Sequence, residues 1–128
     1  MADIERGSRP LSPHLSIYRP QMSSVMSIMH RLTGVALALA AILIVWWFAA
    51  LATGPAYFDF VNGVMTSWLG LLVLTGLLWA FWYHFFNGIR HLRWDTGAGL
   101  GLGEAMRSGW AVIVLSVVMT IVTLVLAV

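Results

Sequence analysis

Residues 60–89 read FVNGVMTSWLGLLVLTGLLWAFWYHFFNGI, a run of 30 residues without Asp, Glu, Lys or Arg. A helix of about 20 apolar residues is long enough to cross the hydrocarbon core of a bilayer. Met65–Phe86 meets this requirement, and so do two other uncharged runs, Leu32–Ala52 and Ser108–Val128. The chain is 60% hydrophobic and 9% charged, whereas soluble domains carry about a quarter charged residues. We therefore predict an all-α integral membrane protein with three transmembrane helices.

The chain is short, and we interpret residues 1–128 as a single membrane-anchor domain. Its predicted parts are a cytoplasmic segment over residues 1–22 and membrane spans at about 30–53, 64–89 and 108–128. The connecting segments are too short to form a separate soluble domain with its own active site. The chain has no Cys, so it offers no disulfide and no thiolate ligand for an iron–sulfur cluster. Any such cluster must belong to a partner.

The arginines predict the topology, because positively charged loops stay on the cytoplasmic side of a membrane. They precede the first span or lie between the second and third: Arg6, Arg9, Arg19, Arg31, Arg90, Arg93 and Arg107. The connection between the first two spans, Thr53–Val64, carries only Asp59. We expect a cytoplasmic N-terminus and a periplasmic C-terminus. With no Lys and no basic cluster beyond the membrane flanks, the chain is not expected to bind nucleic acid.

The N-terminal residues indicate to which membrane the protein is targeted. The first apolar run begins near residue 32, is too long for the apolar region of a signal peptide and lacks a small-residue cleavage site, so we expect no cleaved signal peptide. Asp3 and Glu5 make the start of the chain unlike a mitochondrial transit peptide. A multi-pass protein of the bacterial inner membrane is therefore the predicted localisation.

His84 lies inside the second predicted span. An ionisable side chain at membrane depth is costly unless it has a partner, so such a residue indicates function. A neutral imidazole nitrogen is a common axial ligand of haem iron. Ala80 and Gly88 share the helix face of His84 and would clear space for a planar macrocycle, and His91 follows on that face. We interpret His84 as a haem ligand; the alternative is a hydrogen bond to a neighbouring helix without a cofactor.

A second group of residues has helical spacing at the start of the first span: Ser27, His30, Arg31 and Gly34. Positions i, i+3, i+4 and i+7 gather a hydroxyl, an imidazole and a guanidinium on one helix face. Such donors suit the carbonyl oxygens of a quinone, which gain negative charge and then protons on reduction. The guanidinium would equally suit a haem propionate. Alternatively, Arg31 is only a snorkelling anchor at the membrane boundary and Ser27 a helix-entry residue.

His30 is also a candidate for the second axial ligand. Both ligand nitrogens must lie about 2 Å from the iron, so the two histidines must face each other at one depth. If Arg90 marks the cytoplasmic boundary, His84 lies about 9 Å deeper, whereas His30 adjoins the boundary residue Arg31. We therefore expect the two histidines to lie at different depths. His91 shares a helix with His84, so the second ligand is predicted to come from another chain.

Three motifs follow one another between residues 9 and 95. They read RPLSPHLSIY at residues 9–18, SIMHRLTG at 27–34 and HFFNGIRH at 84–91, with Asp95 after the third. With the predicted topology, these motifs resemble the cytochrome b subunits of succinate dehydrogenase, respiratory complex II. The resemblance implies one of two small membrane anchors that hold a flavoprotein and an iron–sulfur subunit on the cytoplasmic face. Residues 9–18 then match the segment that contacts those subunits, or else form a solvated loop.

The resemblance also implies a function for this chain. Electrons from succinate would pass through FAD and iron–sulfur clusters in the partner subunits to ubiquinone. His84 matches an axial ligand of haem b, and the other axial histidine would belong to the second anchor. Ser27 and Arg31 match residues of the ubiquinone site, and His30, Arg31 and His91 match positions near the haem propionates.

Other functions remain open from the sequence. The anchor of a fumarate reductase would share this architecture, with electrons flowing in the opposite direction. A haem-free membrane scaffold would keep the spans but would not need His84. A transporter or channel is disfavoured, because no acidic or basic residue lies deep in a predicted span to mark an ion path.

Overall fold

The computed structural model describes residues 17–127, which form four helices and no strand. They are α1 (Met22–Thr53), α2 (Pro55–Thr66), α3 (Trp68–Asp95) and α4 (Leu102–Ala127). Three of them, α1, α3 and α4, are long and apolar enough to cross a membrane. The predicted all-α class with three transmembrane helices is confirmed. Residues 9–16 of the first motif lie outside the described residues.

The connection between the first two spans is not the loop that the sequence led us to expect, because it contains α2. Gly54 ends α1 with a φ of 141°, a conformation that favours glycine, and Pro55 opens α2 at a position where its missing amide donor is not needed. The second predicted span, 64–89, is likewise not one continuous helix. The chain turns at Ser67, whose hydroxyl caps α3 by accepting from the Gly70 amide at 3.1 Å.

Helix α3 lies between α1 and α4, and the three helices meet in a small core. Met26 of α1, Tyr83 of α3 and Val112 of α4 are each 2–4% exposed and pack in one cluster. Gly109 allows α4 to approach α1 at this point. A Cβ added at Gly109 would lie 2.7 Å from the Met26 sulfur. The core therefore fixes the relative position of the three candidate spans near one end of the bundle.

A buried guanidinium joins α3 to α4 beside this core. Arg90 is only 6% exposed; its Nε donates to Ser108 Oγ at 3.0 Å and its Nη2 to the Ala105 carbonyl oxygen at 3.0 Å. Its Nη1 donates to Asn87 Oδ1 at 3.3 Å, and its Cζ lies 3.9 Å from the centroid of the Trp94 ring. The residue that served as a boundary marker in the sequence is thus an interhelical contact, and its buried charge is stabilised by hydrogen bonds.

We predict that Arg90→Met lowers the free energy of unfolding by about 2–3 kcal/mol, because hydrogen bonds to a buried charged group are lost and their acceptors remain. Thermal unfolding of the protein in mild detergent, followed by circular dichroism, measures the effect. Arg19→Met removes an exposed arginine and is the control that should change little. Equal unfolding midpoints for the two variants would show that the Arg90 contacts do not stabilise the fold.

Candidate functional site

Three histidines converge where α1 packs against α3. The rings of His30 and His84 are stacked, with centroids 3.9 Å apart and planes 11° apart. The ring of His91 lies 4.9 Å from that of His30 and stacks on Trp94 at 5.2 Å. The helix face shared by His84 and His91 therefore carries a compact imidazole cluster against His30 of the neighbouring helix.

The hydrogen bonds of His84 determine which of its ring nitrogens is available. Nδ1 lies 3.1 Å from the His30 carbonyl oxygen and 3.2 Å from Thr33 Oγ1. A carbonyl oxygen only accepts, so this contact selects the tautomer with hydrogen on Nδ1. Both contacts use Nδ1, and Nε2 keeps its lone pair. A histidine that donates one N–H to a backbone carbonyl while its other nitrogen is free has the arrangement found in metal-ligating histidines.

Thr33 is a residue of this site that the sequence analysis did not single out. It is 3% exposed, and its hydroxyl lies 2.8 Å from the Met29 carbonyl oxygen and 3.0 Å from that of His30. Because the hydroxyl donates to a carbonyl of its own helix, its lone pairs face the Nδ1–H of His84. A threonine in an apolar helix often bonds its own backbone, so the sequence carries no signal that links Thr33 to His84.

The small residues around His84, which are Gly34, Gly88 and Ala80, differ in how much free space lies beside them. A Cβ added at Gly34 would lie 3.1 Å from Cε1 of His84, so the absence of a side chain there lets α1 approach the imidazole. At Gly88 an added Cβ would meet nothing within 4 Å, which agrees with the predicted open space on that side. Ala80 is 4% exposed. The space expected beside Ala80 is therefore filled by the chain itself.

The prediction that His30 and His84 lie at different depths is wrong, because their rings are in contact. The error came from using arginines as markers of helix ends. Helix α1 begins at Met22, more than two turns before Arg31, and α3 continues past Arg90 to Asp95. The two imidazoles nevertheless cannot bind one iron between them. Two ligand nitrogens would each need to lie about 2 Å from the iron on opposite sides of the macrocycle, whereas the stacked rings are in direct contact and leave no space for it.

The remaining predicted residues surround this cluster. Ser27 and Arg31 are exposed on α1, beside the buried face that carries His30. Among the described residues, no hydrogen-bond partner is found for three buried atoms, Nδ1 of His30, Nδ1 of His91 and Nδ2 of Asn87. Buried polar atoms of this kind normally have partners. The histidine cluster therefore has unused hydrogen-bonding capacity, whereas the Oδ1 of Asn87 accepts from Arg90, which contacts α4.

One imidazole of this cluster could serve as a single ligand to a cofactor. Within residues 17–127, no group of three or more His, Cys, Asp or Glu side chains is arranged to hold a metal ion. Haem needs only one imidazole from each contributing chain. Within residues 17–127 the Nε2 of His84 has no hydrogen-bond partner, so this imidazole could supply such a ligand.

The fold and the site define a multi-pass helical membrane protein with an imidazole cluster between two candidate spans. Residues 5–123 match the protein family described as succinate dehydrogenase/fumarate reductase transmembrane subunit. The chain belongs to this family. The resemblance predicted from the three sequence motifs is thereby confirmed.

Individual relatives agree with the family assignment. The chain is 48% identical over 125 residues to the succinate dehydrogenase cytochrome b556 subunit of Paracoccus denitrificans, covering 98% of this chain and 96% of that one. It is 44% identical over 113 residues to the protein of the same name from Rickettsia bellii, covering 88% of each. It is 40% identical over 118 residues to the mitochondrial succinate dehydrogenase cytochrome b560 subunit of Bos taurus, covering 89% of this chain and 69% of that one.

We predict that Gly34→Val destabilises the α1–α3 contact by about 1–3 kcal/mol, because the added methyl groups must displace the His84 ring or the helix. The thermal unfolding midpoint of the protein in mild detergent measures this effect. Gly76→Val is the matched control, since an added Cβ at Gly76 meets nothing within 4 Å. The same loss of stability in both variants would indicate a general cost of valine in these helices rather than a contact at Gly34.

Proposed function

We propose that this chain is the haem b-binding membrane anchor subunit of succinate dehydrogenase, succinate:ubiquinone oxidoreductase of respiratory complex II. The observation that carries the proposal is the imidazole of His84, whose Nδ1 contacts the His30 carbonyl oxygen at 3.1 Å and whose Nε2 has no hydrogen-bond partner within residues 17–127. The names of the relatives, which are cytochrome b subunits of that enzyme, support it independently.

In this proposal His84 binds the iron of haem b through Nε2. Haem supplies a one-electron redox centre when bound. His30, Arg31 and His91 would lie in the propionate vicinity, where the exposed guanidinium of Arg31 would donate to a carboxylate. The second axial histidine comes from a second small membrane anchor. That assignment is supported by the direct stacking of His30 on His84, which leaves no space for a macrocycle between the two rings.

Ser27 and Arg31 form this chain's part of the ubiquinone site. Both are exposed on one side of α1 next to the histidine cluster, so a ligand from outside this chain has access to them. The hydroxyl and the guanidinium orient a quinone carbonyl and stabilise the negative charge that develops on its oxygen during reduction. Protons for the reduced oxygen must come from the aqueous side of the membrane.

The chain would act only as part of a complex. It carries no Cys to ligate a cluster, so the flavoprotein with FAD and the iron–sulfur subunit must oxidise succinate and deliver the electrons. The chain anchors those two partners to the membrane, in contact with lipid and with the second anchor. We propose the bacterial inner membrane, with the N-terminus in the cytoplasm, as its location. The relatives from Paracoccus and Rickettsia support a bacterial membrane.

A second candidate function is the anchor of a quinol:fumarate reductase, since the family description covers both enzymes. The two would share fold and haem ligand and differ in the direction of electron flow. The relatives at 40–48% identity are succinate dehydrogenase subunits by name, which favours succinate oxidation. A haem-free scaffold is the third candidate, and the free Nε2 of His84 argues against it.

We predict that His84→Gly removes b-type haem absorbance from the purified complex or lowers it at least several-fold, because the iron loses its ligand from this chain. The dithionite-reduced minus oxidised spectrum measures the haem. Adding imidazole should restore part of the absorbance, since the free ligand occupies the space that the side chain left. An unchanged spectrum in His84→Gly would refute the assignment and favour the haem-free scaffold.

We predict that Arg31→Leu lowers ubiquinone reduction about tenfold or more, because loss of a charge-assisted donor raises the barrier for reducing the carbonyl. Succinate oxidation by a dye that accepts electrons before the quinone site should remain. The ratio of the two activities in the purified complex is the measurement, and Ser27→Ala should change it in the same direction by a smaller factor. Parallel loss of both activities would mean failed assembly instead of a quinone-site defect.

A further inference from the structure

A basic cleft lies between the end of α3 and the start of α4. It has a volume of about 370 Å³. Two guanidinium groups from different helices, Arg93 and Arg107, line it together with Glu104, Ser108 and Ala111. None of these residues belongs to the histidine cluster or to the proposed quinone site. We call this cavity the α3–α4 cleft.

The charges of the α3–α4 cleft favour an anion. Arg93 and Arg107 are both exposed, and the guanidinium of Arg107 makes one hydrogen bond within residues 17–127, from Nε to a backbone carbonyl oxygen at 3.3 Å. The carboxylate of Glu104 is turned toward the first residues of α4, since a Cβ added at Gly101 would lie 3.6 Å from its Oε2. A carboxylate in that position is stabilised by the helix N-terminus. The two guanidiniums therefore remain available to a ligand.

An apolar groove continues from the cleft along the two helices. It has a volume of about 260 Å³, and its lining shares Arg93, Ser108 and Ala111 with the cleft. Further along, its walls are formed by Phe86, Ile89, Val112 and Leu115. Ile89 is 49% and Leu115 43% exposed, so the groove opens sideways on helices that are candidate membrane spans. From Ser108 to Leu115 it extends about 10 Å.

We propose that the α3–α4 cleft and its groove bind one anionic phospholipid, with the phosphate between Arg93 and Arg107 and an acyl chain in the groove. Basic pockets between transmembrane helices at the membrane surface suit anionic head groups. A soluble anion would contact only the guanidiniums. A carboxylate from a peripheral subunit would pair with them but would leave the groove empty. Only a lipid matches both the charge at one end and the apolar walls at the other.

The buried guanidinium of Arg90 gives this site rigid walls. It links α3 to Ser108, which lines the cleft, and to the Ala105 carbonyl oxygen of α4, each at 3.0 Å. The Trp94 ring, which lies on Arg90, donates from Nε1 to the Gly99 carbonyl oxygen at 2.9 Å and so holds the connecting segment in place. The cleft is therefore preformed between two helices whose separation is fixed, and lipid binding needs no rearrangement of them.

The test is lipid binding to the purified, delipidated complex, measured by native mass spectrometry. Phosphatidylglycerol and phosphatidylcholine with identical acyl chains are the probes. We expect phosphatidylglycerol to bind at least tenfold more tightly than phosphatidylcholine, and the double variant Arg93→Gln/Arg107→Gln to lose that preference. Arg19→Gln is the matched control and should keep it. Equal binding of the two lipids by the unmodified complex, or an unchanged preference in the double variant, would overturn the proposal.

A second variant tests the contribution of the apolar groove to lipid binding while both arginines are kept. Ala111→Phe places a ring where the acyl chain is proposed to lie and leaves both arginines in place. We expect it to weaken phosphatidylglycerol binding about tenfold. Inorganic phosphate at millimolar concentration should not displace the lipid from the unmodified complex. Displacement by phosphate, or full affinity in Ala111→Phe, would show that the site binds only an anion and that no acyl chain occupies the groove.

A third measurement does not depend on the folding of any variant. Phosphatidylglycerol with a photoreactive group on its acyl chain is bound to the unmodified complex, which is then irradiated and digested. We expect labelled peptides of this chain to contain Ile89 or Leu115, which are exposed along the groove. Labelling of this chain confined to other segments would overturn the placement of the acyl chain.

Discussion

The hydrogen bond between Nδ1 of His84 and the carbonyl oxygen of His30, 3.1 Å long, is the contact on which the functional site depends. It joins α3 to the backbone of α1 and orients the imidazole at the same time. In an apolar environment such a bond has no water to compete with it, so it holds the ring more firmly than the same bond would at an aqueous surface. The close approach of Gly34 makes the contact sterically possible.

Helix α3 is held by polar contacts on two sides at the same end of the molecule. His84 bonds to α1, and Arg90 bonds to Ser108 and Ala105 of α4. Other helix contacts, such as the core of Met26, Tyr83 and Val112, are mainly apolar. Where both the lipid and the protein interior are apolar, polar contacts and close packing provide much of the specificity of helix association.

The proposed site is open on one side. His84 presents a free Nε2, and Ser27 and Arg31 present exposed donors, yet within the described residues nothing covers them from the opposite side. Many large apolar side chains of α1 and α3 are also exposed, among them Leu39 and Phe81. This combination is typical of a subunit that completes its site with a partner, and it agrees with membership of a family of transmembrane subunits from multisubunit enzymes.

The sequence by itself determined the all-α class, the three candidate spans and the candidate residues, because length and apolarity decide whether a helix crosses a membrane and because an imidazole at such depth has few other uses. The family was also readable from three ordered motifs. Only the tertiary structure decided which residues meet. The spacing of His30 within α1 is a local property, whereas its stacking on His84 depends on the position of α1 along α3. The close approach of Gly34 to the His84 ring permits that position.

The burial of Arg90 and the contact between Thr33 and His84 could not be predicted from the sequence, because both depend on how neighbouring helices pack. A sequence reports the periodicity of one helix, and an arginine near a predicted helix end has the same pattern whether it reaches into water or across to another helix. The position of α4 decided between these possibilities by bringing Ser108 and the Ala105 carbonyl oxygen to the guanidinium. Composition and motifs thus determined what kind of protein this is, while interhelical register and distance decided which side chains form its sites.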